Sequence, residues 1–357
     1  MSAEKMKVIV QRSTRTSRVA SILFVPIVIL LLIAPKYLDR GVVSMLVEFF
    51  FYLALAQLWN LLAGYAGVVS LGQHAFIGLG GYVLFGLCVL GELHPLVALL
   101  LGGVICAIVA IPVAALVFRL HGAYMAIGTW VIAEVFRLLF SQVTSLGAGS
   151  GISLPVSIAQ DIPMGTDLER DTVLYLISIV LSLFVTFGAY LILCSRSGLA
   201  LTAIRDNELA ARSTGIDNVR IKLFVYVATA FGTGLVGALI YLTKFRISPP
   251  AAFDINWTSY VLFIVVIGGI GTLEGPIVGT IIFFVLRQYL ADLGSWYLII
   301  LGAVAVAVML KMPRGVWGTF SHRFDVHIFP TRRRLAKAEM ESPVAPTDAG
   351  KAEAAAH

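Results

Sequence analysis

The chain has 357 residues, 59% of them hydrophobic and 13% charged, with a net charge of +6 and a mean hydropathy of +0.93. Soluble domains carry about a quarter charged residues, so this composition excludes a water-covered globule. Apolar runs of roughly 20 residues recur along most of the length, enough to cross ~30 Å of hydrocarbon as helix, which excludes a soluble chain behind one short leader.

The runs are continuous rather than alternating, which argues against a membrane β-barrel. Backbone groups must be satisfied inside lipid. The expected fold is therefore all-α: a polytopic integral membrane protein with about ten transmembrane or re-entrant helices. In chain order the spans fall near 19–35, 42–63, 68–90, 95–118, 122–141, 172–194, 223–243, 257–271, 276–291 and 295–311. The third, eighth and ninth are glycine-rich and fit either half-helices or re-entrant segments.

Placing both termini in the cytoplasm puts nineteen Lys and Arg residues on the inner side and five on the outer, with Arg137 and Arg287 inside helices. That asymmetry sets the expected orientation. It divides the chain into a basic cytoplasmic N-terminus (1–18), a permease domain (19–311) and a cytoplasmic tail (312–357). Within the domain, the loop 142–171 falls outside and carries Asp161, Asp167, Glu169 and Asp171, whereas 195–222 falls inside and is basic. The tail from 321 lacks an apolar period and is expected to be largely disordered from about 331.

Two stretches interrupt the apolar pattern. Residues 60–81 read NLLAGYAGVVSLGQHAFIGLGG, with Gly67, Ser70, Gln73 and His74 near the centre. Residues 266–280 read VIGGIGTLEGPIVGT, with Gly271 and Glu274. Glycine this dense makes a poor uninterrupted helix. Paired Gly/Pro breaks in two halves of a transporter point to a transport path. Close helix packing draws on the same small residues, so both uses stand.

Charged groups inside spans cost several kcal/mol unless paired or wetted, which singles out Glu48, Glu134, Arg137, Glu274 and Arg287. Glu134 and Arg137 lie three apart and can share a helix face as an ion pair. His74 suits a hydrogen-bonded packing role more readily than a proton or substrate role. Cys88, Cys106 and Cys194 are far apart and read as small apolar fillers. No metal-ligand cluster, nucleophile–base arrangement or P-loop stands out, so no metal site and no enzyme activity are expected.

The inner loop reads SRSGLALTAIRDNELAARSTGIDNVRIK, with a helix expected over 199–212 and glycines at Gly198 and Gly215. Such a helix either transmits force to a cytosolic partner or lies solvated at the interface.

Four ordered motifs carry a resemblance. They are LWNLLAGYAGVVSLGQHAFIGLGGY at 58–82, LHGAYMAIGTWVIAEVFRL at 120–138, SGLALTAIRDNELAARSTGI at 197–216 and ISPPAAFDINWTSYVLFIVVIGGIGTLEGPIVGT at 247–280. Over about 40–315 the chain resembles permease subunits of branched-chain amino acid ABC importers of the high-affinity Liv type, specifically the M-type. His74 stands where many relatives carry a small residue. The resemblance implies a multi-pass protein of the bacterial cytoplasmic (inner) membrane. Its implied partners are a second, H-type permease, two cytosolic ATPase subunits and a periplasmic substrate-binding protein, among membrane lipid. It implies no cofactor on this chain, with ATP and Mg used by the partner subunits. Nucleic acid has no place in it.

The family's coupling motif maps onto Gly198, Ile204, Arg205, Asn207, Glu208, Ala211 and Gly215, with Arg205 and Glu208 as polar contacts to the ATPase. Transport-path candidates are Gly67, Ser70, Gln73, His74, Glu134, Gly271 and Glu274. Two other functions share parts of this reading: the same architecture importing urea, short amides or hydrophobic carboxylates, and a proton-coupled secondary transporter using Glu134, Glu274 and His74 as relays.

Overall fold

In the computed structural model, which describes residues 9–11, 24, 26–155, 157–158, 169–290, 294, 296–324, 328–329 and 334–336, one helix runs through the middle of the packing. This is α2 (Arg40–Asn60), buried at every residue from Phe50 to Asn60. It follows the short α1 (Pro26–Lys36) and is apolar nearly all round, so it has no wet face to present. A π-turn at Leu61–Tyr65 ends it, and an irregular stretch leads to α3 (His74–Val89).

The rest is helical with short connections: α4 (Pro95–Val117), α5 (Ala123–Ser141), α6 (Arg170–Cys194), the short α7 (Arg196–Asp206) and α8 (Glu208–Ser213), then α9 (Asn218–Lys244). After a single turn at Pro249–Ala252 come α10 (Asn256–Gly268), α11 (Gly275–Leu290), α12 (Trp296–Lys311) and α13 (Gly315–Phe324). Seven of the described helical segments are long and apolar enough to cross a membrane; Pro26–Lys36, α3 and α11 are shorter. From residue 42 on, the apolar segments fall within about five residues of where hydropathy puts them, whereas residues 19–23 and 25 of the expected first span lie outside the described residues. The expected span 68–90 is the exception: its first quarter, 68–73, is irregular chain, and only α3 is helix.

Two cores meet along α2. On one side α2 packs against α6, α10 and α11, where Tyr52, Phe283, Phe284 and Tyr260 form edge-to-face ring pairs. On the other, α3, α4 and α9 cross at backbone contact. A Cβ on Gly80 would sit 2.1 Å from the Gly234 carbonyl oxygen, and one on Gly237 would sit 2.3 Å from that of Ile77. Small residues are required there because lipid supplies no hydrophobic drive between helices, leaving close van der Waals packing to hold them. The glycines of α3 are packing residues.

Outward faces are apolar: Leu100, Ile108 and Leu116 on α4, and Val180, Phe184 and Phe187 on α6 are all exposed. Two small antiparallel pairs tie distant segments. β2 (Ile152–Ser153) pairs with β3 (Arg246–Ile247), and β1 (Ile9–Gln11) pairs with β4 (Arg334–Ala336). The expected tail is thus partly built, with α13 reaching Phe324 and β4 beyond it. Residues 337–357, most of 1–18, and Asp161 and Asp167 lie outside the described residues.

Candidate transport and coupling site

Gln57 and Asn60 lie three apart near the end of α2, both 1% exposed, so they share one face of an otherwise apolar helix. Buried amides need partners. The partners come from the second glycine-broken segment, more than 200 residues along the chain. Asn60 Oδ1 accepts from the Gly271 backbone N–H at 2.8 Å, and Asn60 Nδ2 donates to the Thr272 carbonyl at 2.8 Å. Gln57 Nε2 donates to the Leu273 carbonyl at 2.8 Å. Three side-chain bonds therefore satisfy a stretch of backbone, between α10 and α11, that no helix serves.

The break has its own geometry. Gly271 holds φ +77° and Gly269 φ +129°, conformations that a side chain strains. Thr272 Oγ1 donates to the Gly269 carbonyl at 2.9 Å and accepts from the Gly275 N–H at 3.1 Å, closing the turn. Gly64, in the π-turn, has no room for a side chain: its Cβ would lie 2.4 Å from Asn60 Oδ1 and 2.7 Å from the Gly271 nitrogen.

Into this contact comes the loop between α6 and α9. Arg205, at the end of α7, donates from Nη1 to the Gly64 carbonyl at 2.6 Å. The same Nη1 lies 2.5 Å from where a Gly271 Cβ would stand, and the Arg205 Cα lies 3.9 Å from where a Gly67 Cβ would stand (φ +67°). Both glycine breaks and the inner helix thus converge on one guanidinium. Of the residues singled out in the sequence, Gly67, Arg205 and Gly271 come together here. Gln57, Asn60 and Gly64 complete the cluster and were missed; two amides at i and i+3 inside an apolar run are the signal that marks them.

The other path candidates separate. Ser70, Gln73 and His74 are buried and engaged within the chain. The Ser70 carbonyl accepts from Trp59 Nε1 at 2.8 Å, Gln73 Nε2 donates to Thr233 Oγ1 at 3.0 Å, and His74 Nδ1 is 2.9 Å from Thr258 Oγ1. Glu274, 6% exposed, accepts on Oε1 from the Ile328 and Phe329 backbone N–H groups at 3.0 and 2.8 Å, so it anchors the segment after α13. Glu134 pairs with Arg137 through Nε at 2.8 and 2.9 Å and through Nη2, on a helix whose buried residues are Thr129 and Ala133 alone.

The expected helix over 199–212 is divided. Asn207 is extended (φ −158°, ψ 105°) and its Oδ1 accepts from the Ala210 N–H at 3.0 Å, ending α7 and capping α8. Leu201, Ile204 and Ala211 are buried. A Cβ on Gly198 would sit 2.1 Å from the Leu193 carbonyl oxygen, and Gly215 turns the chain toward α9 with φ +85°. Glu208 Oε1 meets Lys222 Nζ at 2.7 Å, and its carbonyl accepts from Asn218 Nδ2 at 2.8 Å, so it holds α8 to the start of α9. Leu199 and Leu209 face outward, 58% and 80% exposed.

A helical membrane protein with glycine-broken segments knotted to a short helix pair has the build of a permease subunit. The chain belongs to the family described as branched-chain amino acid transport system / permease component, whose model matches residues 41–309. It is similar to the high-affinity branched-chain amino acid transport system permease protein LivM of Salmonella typhimurium, at 28% identity over 79% of this chain and 71% of that one. It is also similar to LivM of Escherichia coli, at 28% identity over 84% of this chain and 76% of that one. No solved structure matches.

Proposed function

We propose that this chain is one of two permeases forming the path of an ATP-driven importer for branched-chain amino acids in the bacterial cytoplasmic membrane. The second permease, two cytosolic ATPases that bind ATP and Mg, and a periplasmic binding protein complete the machine. The observation that carries the reading is the Arg205 contact. It gives the inner helix pair a direct hold on both backbone breaks, so a push on α7–α8 moves the segments that differ from plain helix.

Leu199 and Leu209 are large apolar side chains turned out from a basic loop, which suits a partner groove better than bulk water. The positive-inside bias supports a cytoplasmic position for that loop. The pairing of β1 with β4 agrees with both termini lying on that side.

Helix α5 supplies the argument for a second permease. Its face bears Ile127, Trp130, Val131, Val135 and Leu138, all exposed, yet also the Glu134–Arg137 pair with side chains 42% and 32% exposed. A charged pair set against lipid is costly, whereas beside a water-filled path or a partner helix it is not. A zwitterionic amino acid needs such a wet path to cross ~30 Å of hydrocarbon. Alternate opening of that path at its two ends, driven through α7–α8, would carry the solute inward.

The test is uptake of labelled leucine, isoleucine and valine by cells carrying the full importer. Saturable uptake that is abolished by deleting this chain and by trapping the ATPases supports the reading. Uptake that follows the proton gradient without ATP, or uptake of urea alone, overturns it.

A further inference from the structure

Helices α2, α10 and α11 leave the Arg205 junction together and, at their far ends, line with α6 and α9 a cavity of about 460 Å³. That is within the roughly 300–1,000 Å³ range of small-molecule pockets. Its wall brings together groups that the permease reading does not use. Glu48 of α2 and Arg287 of α11 form an ion pair, Glu48 Oε2 to Arg287 Nη1 at 2.7 Å, from opposite ends of the sequence. Glu48 Oε1 accepts no hydrogen bond among the described residues. Lys244, ending α9, sets its ammonium 4.7 Å from the Trp257 ring centroid, and among the described residues no carboxylate lies within 4 Å of it. Tyr52, Trp257 and Tyr260 make an aromatic wall, with ring centroids 5.9 and 6.0 Å from that of Tyr52.

We propose that this cavity binds a free α-amino acid with an aliphatic side chain. Its carboxylate is recognised by the uncommitted Lys244 ammonium, its ammonium by the free oxygen of Glu48, and its side chain by the aromatic wall. An ion pair alone explains Glu48 and Arg287. It does not explain why Lys244, Asp171 and Asp254 line the same cavity, with the Lys244 ammonium set over the Trp257 ring. An amino acid carries the two complementary charges within a few ångströms of an apolar group. A phosphate has no use for the carboxylate, and a simple cation has none for Lys244. The position also has a consequence. Glu48 lies twelve residues before Asn60 on α2, about 18 Å along the helix. Occupancy at this end and the Arg205 contact at the other therefore act on the same three helices.

The inference rests on the reading that the chain handles amino acids, and its test separates the two. The full chain is placed in lipid discs of phosphatidylglycerol, and binding of L-leucine and of leucinamide, which lacks the carboxylate, is measured. We expect leucine to bind about tenfold more tightly than leucinamide, the difference set by one charged contact. Lys244→Met is expected to remove that preference. Should Lys244→Met fail to fold, the leucine–leucinamide comparison on the unaltered chain decides by itself. Equal binding of the two ligands, or none, overturns the site, and so does binding that vanishes in discs containing phosphatidylethanolamine, which assigns the cavity to a lipid headgroup. Failure here with intact ATP-driven leucine uptake in cells sinks the site and leaves the importer reading standing. Leucine binding with no uptake by the complete assembly does the reverse.

Discussion

Arg205 and Gly64 meet across 2.6 Å, a guanidinium from the inner loop on a carbonyl freed by the π-turn after α2. A π-turn shifts the helical ladder by one residue and exposes a carbonyl that an α-helix would consume. The arginine takes it. Because Gly64 lies against Asn60 and Gly271, the bond joins the loop to the whole break rather than to one helix.

Under the proposed coupling, Arg205→Met in the assembled importer should abolish leucine uptake while ATP hydrolysis continues, since the breaks would lose their link to α7–α8. Arg205→Lys, which keeps a donor, should recover part of the uptake. Paired uptake and phosphate-release measurements read this out. Wild-type uptake by Arg205→Met would remove the coupling role.

Asn60→Leu removes an acceptor and a donor at once and strands the Gly271 N–H and the Thr272 carbonyl. Each unsatisfied buried group costs about 1–3 kcal/mol. The thermal midpoint of the purified chain should therefore fall clearly, and by more than for Asn60→Asp, which keeps the acceptor. Equal midpoints for the two variants would show that the amide does not hold the break.

Gly80→Ala should lower stability by about 1–3 kcal/mol, the usual effect of overpacking, because its Cβ would meet the Gly234 carbonyl. Gly188→Ala, with nothing within 4 Å of the added carbon, should be close to neutral. Thermal unfolding of both in one detergent makes the comparison. A neutral Gly80→Ala would mean that the α3–α9 crossing is looser than drawn.

Glu134→Gln leaves Arg137 uncompensated on α5 and, if α5 faces the proposed second permease, should reduce recovery of that complex. Glu134→Gln combined with Arg137→Met should restore recovery toward the unaltered level, as expected for a pair whose members serve each other. Co-purification yields decide it. If the double variant is as poor as the single one, each residue has a separate task.

Much of the architecture is legible along the chain. Pro95 opens α4 as hydropathy predicts, Cys194 closes α6, and the two glycine-rich runs do contain the breaks. These are local signals: a long apolar run must be helix in lipid, and a glycine cluster weakens that helix wherever it sits. The division at Asn207 was written in the sequence too, as an amide placed to cap, but the helical composition around it hides it.

Side-chain partnership was decided by the tertiary structure. His74 and Glu274 both stand among the path candidates on paper, His74 with packing as its readier role; one finds Thr258 and the other two backbone N–H groups of the tail. Helices such as α2 and α3 are apolar nearly all round, so no periodicity reveals which side another helix covers. Hydropathy determines that a segment enters the membrane. Only packing between segments over 200 residues apart determines that Asn60 meets Gly271 and that Arg205 reaches them both, because a buried hydrogen bond depends on where two backbones come to rest and not on the order of residues along either one.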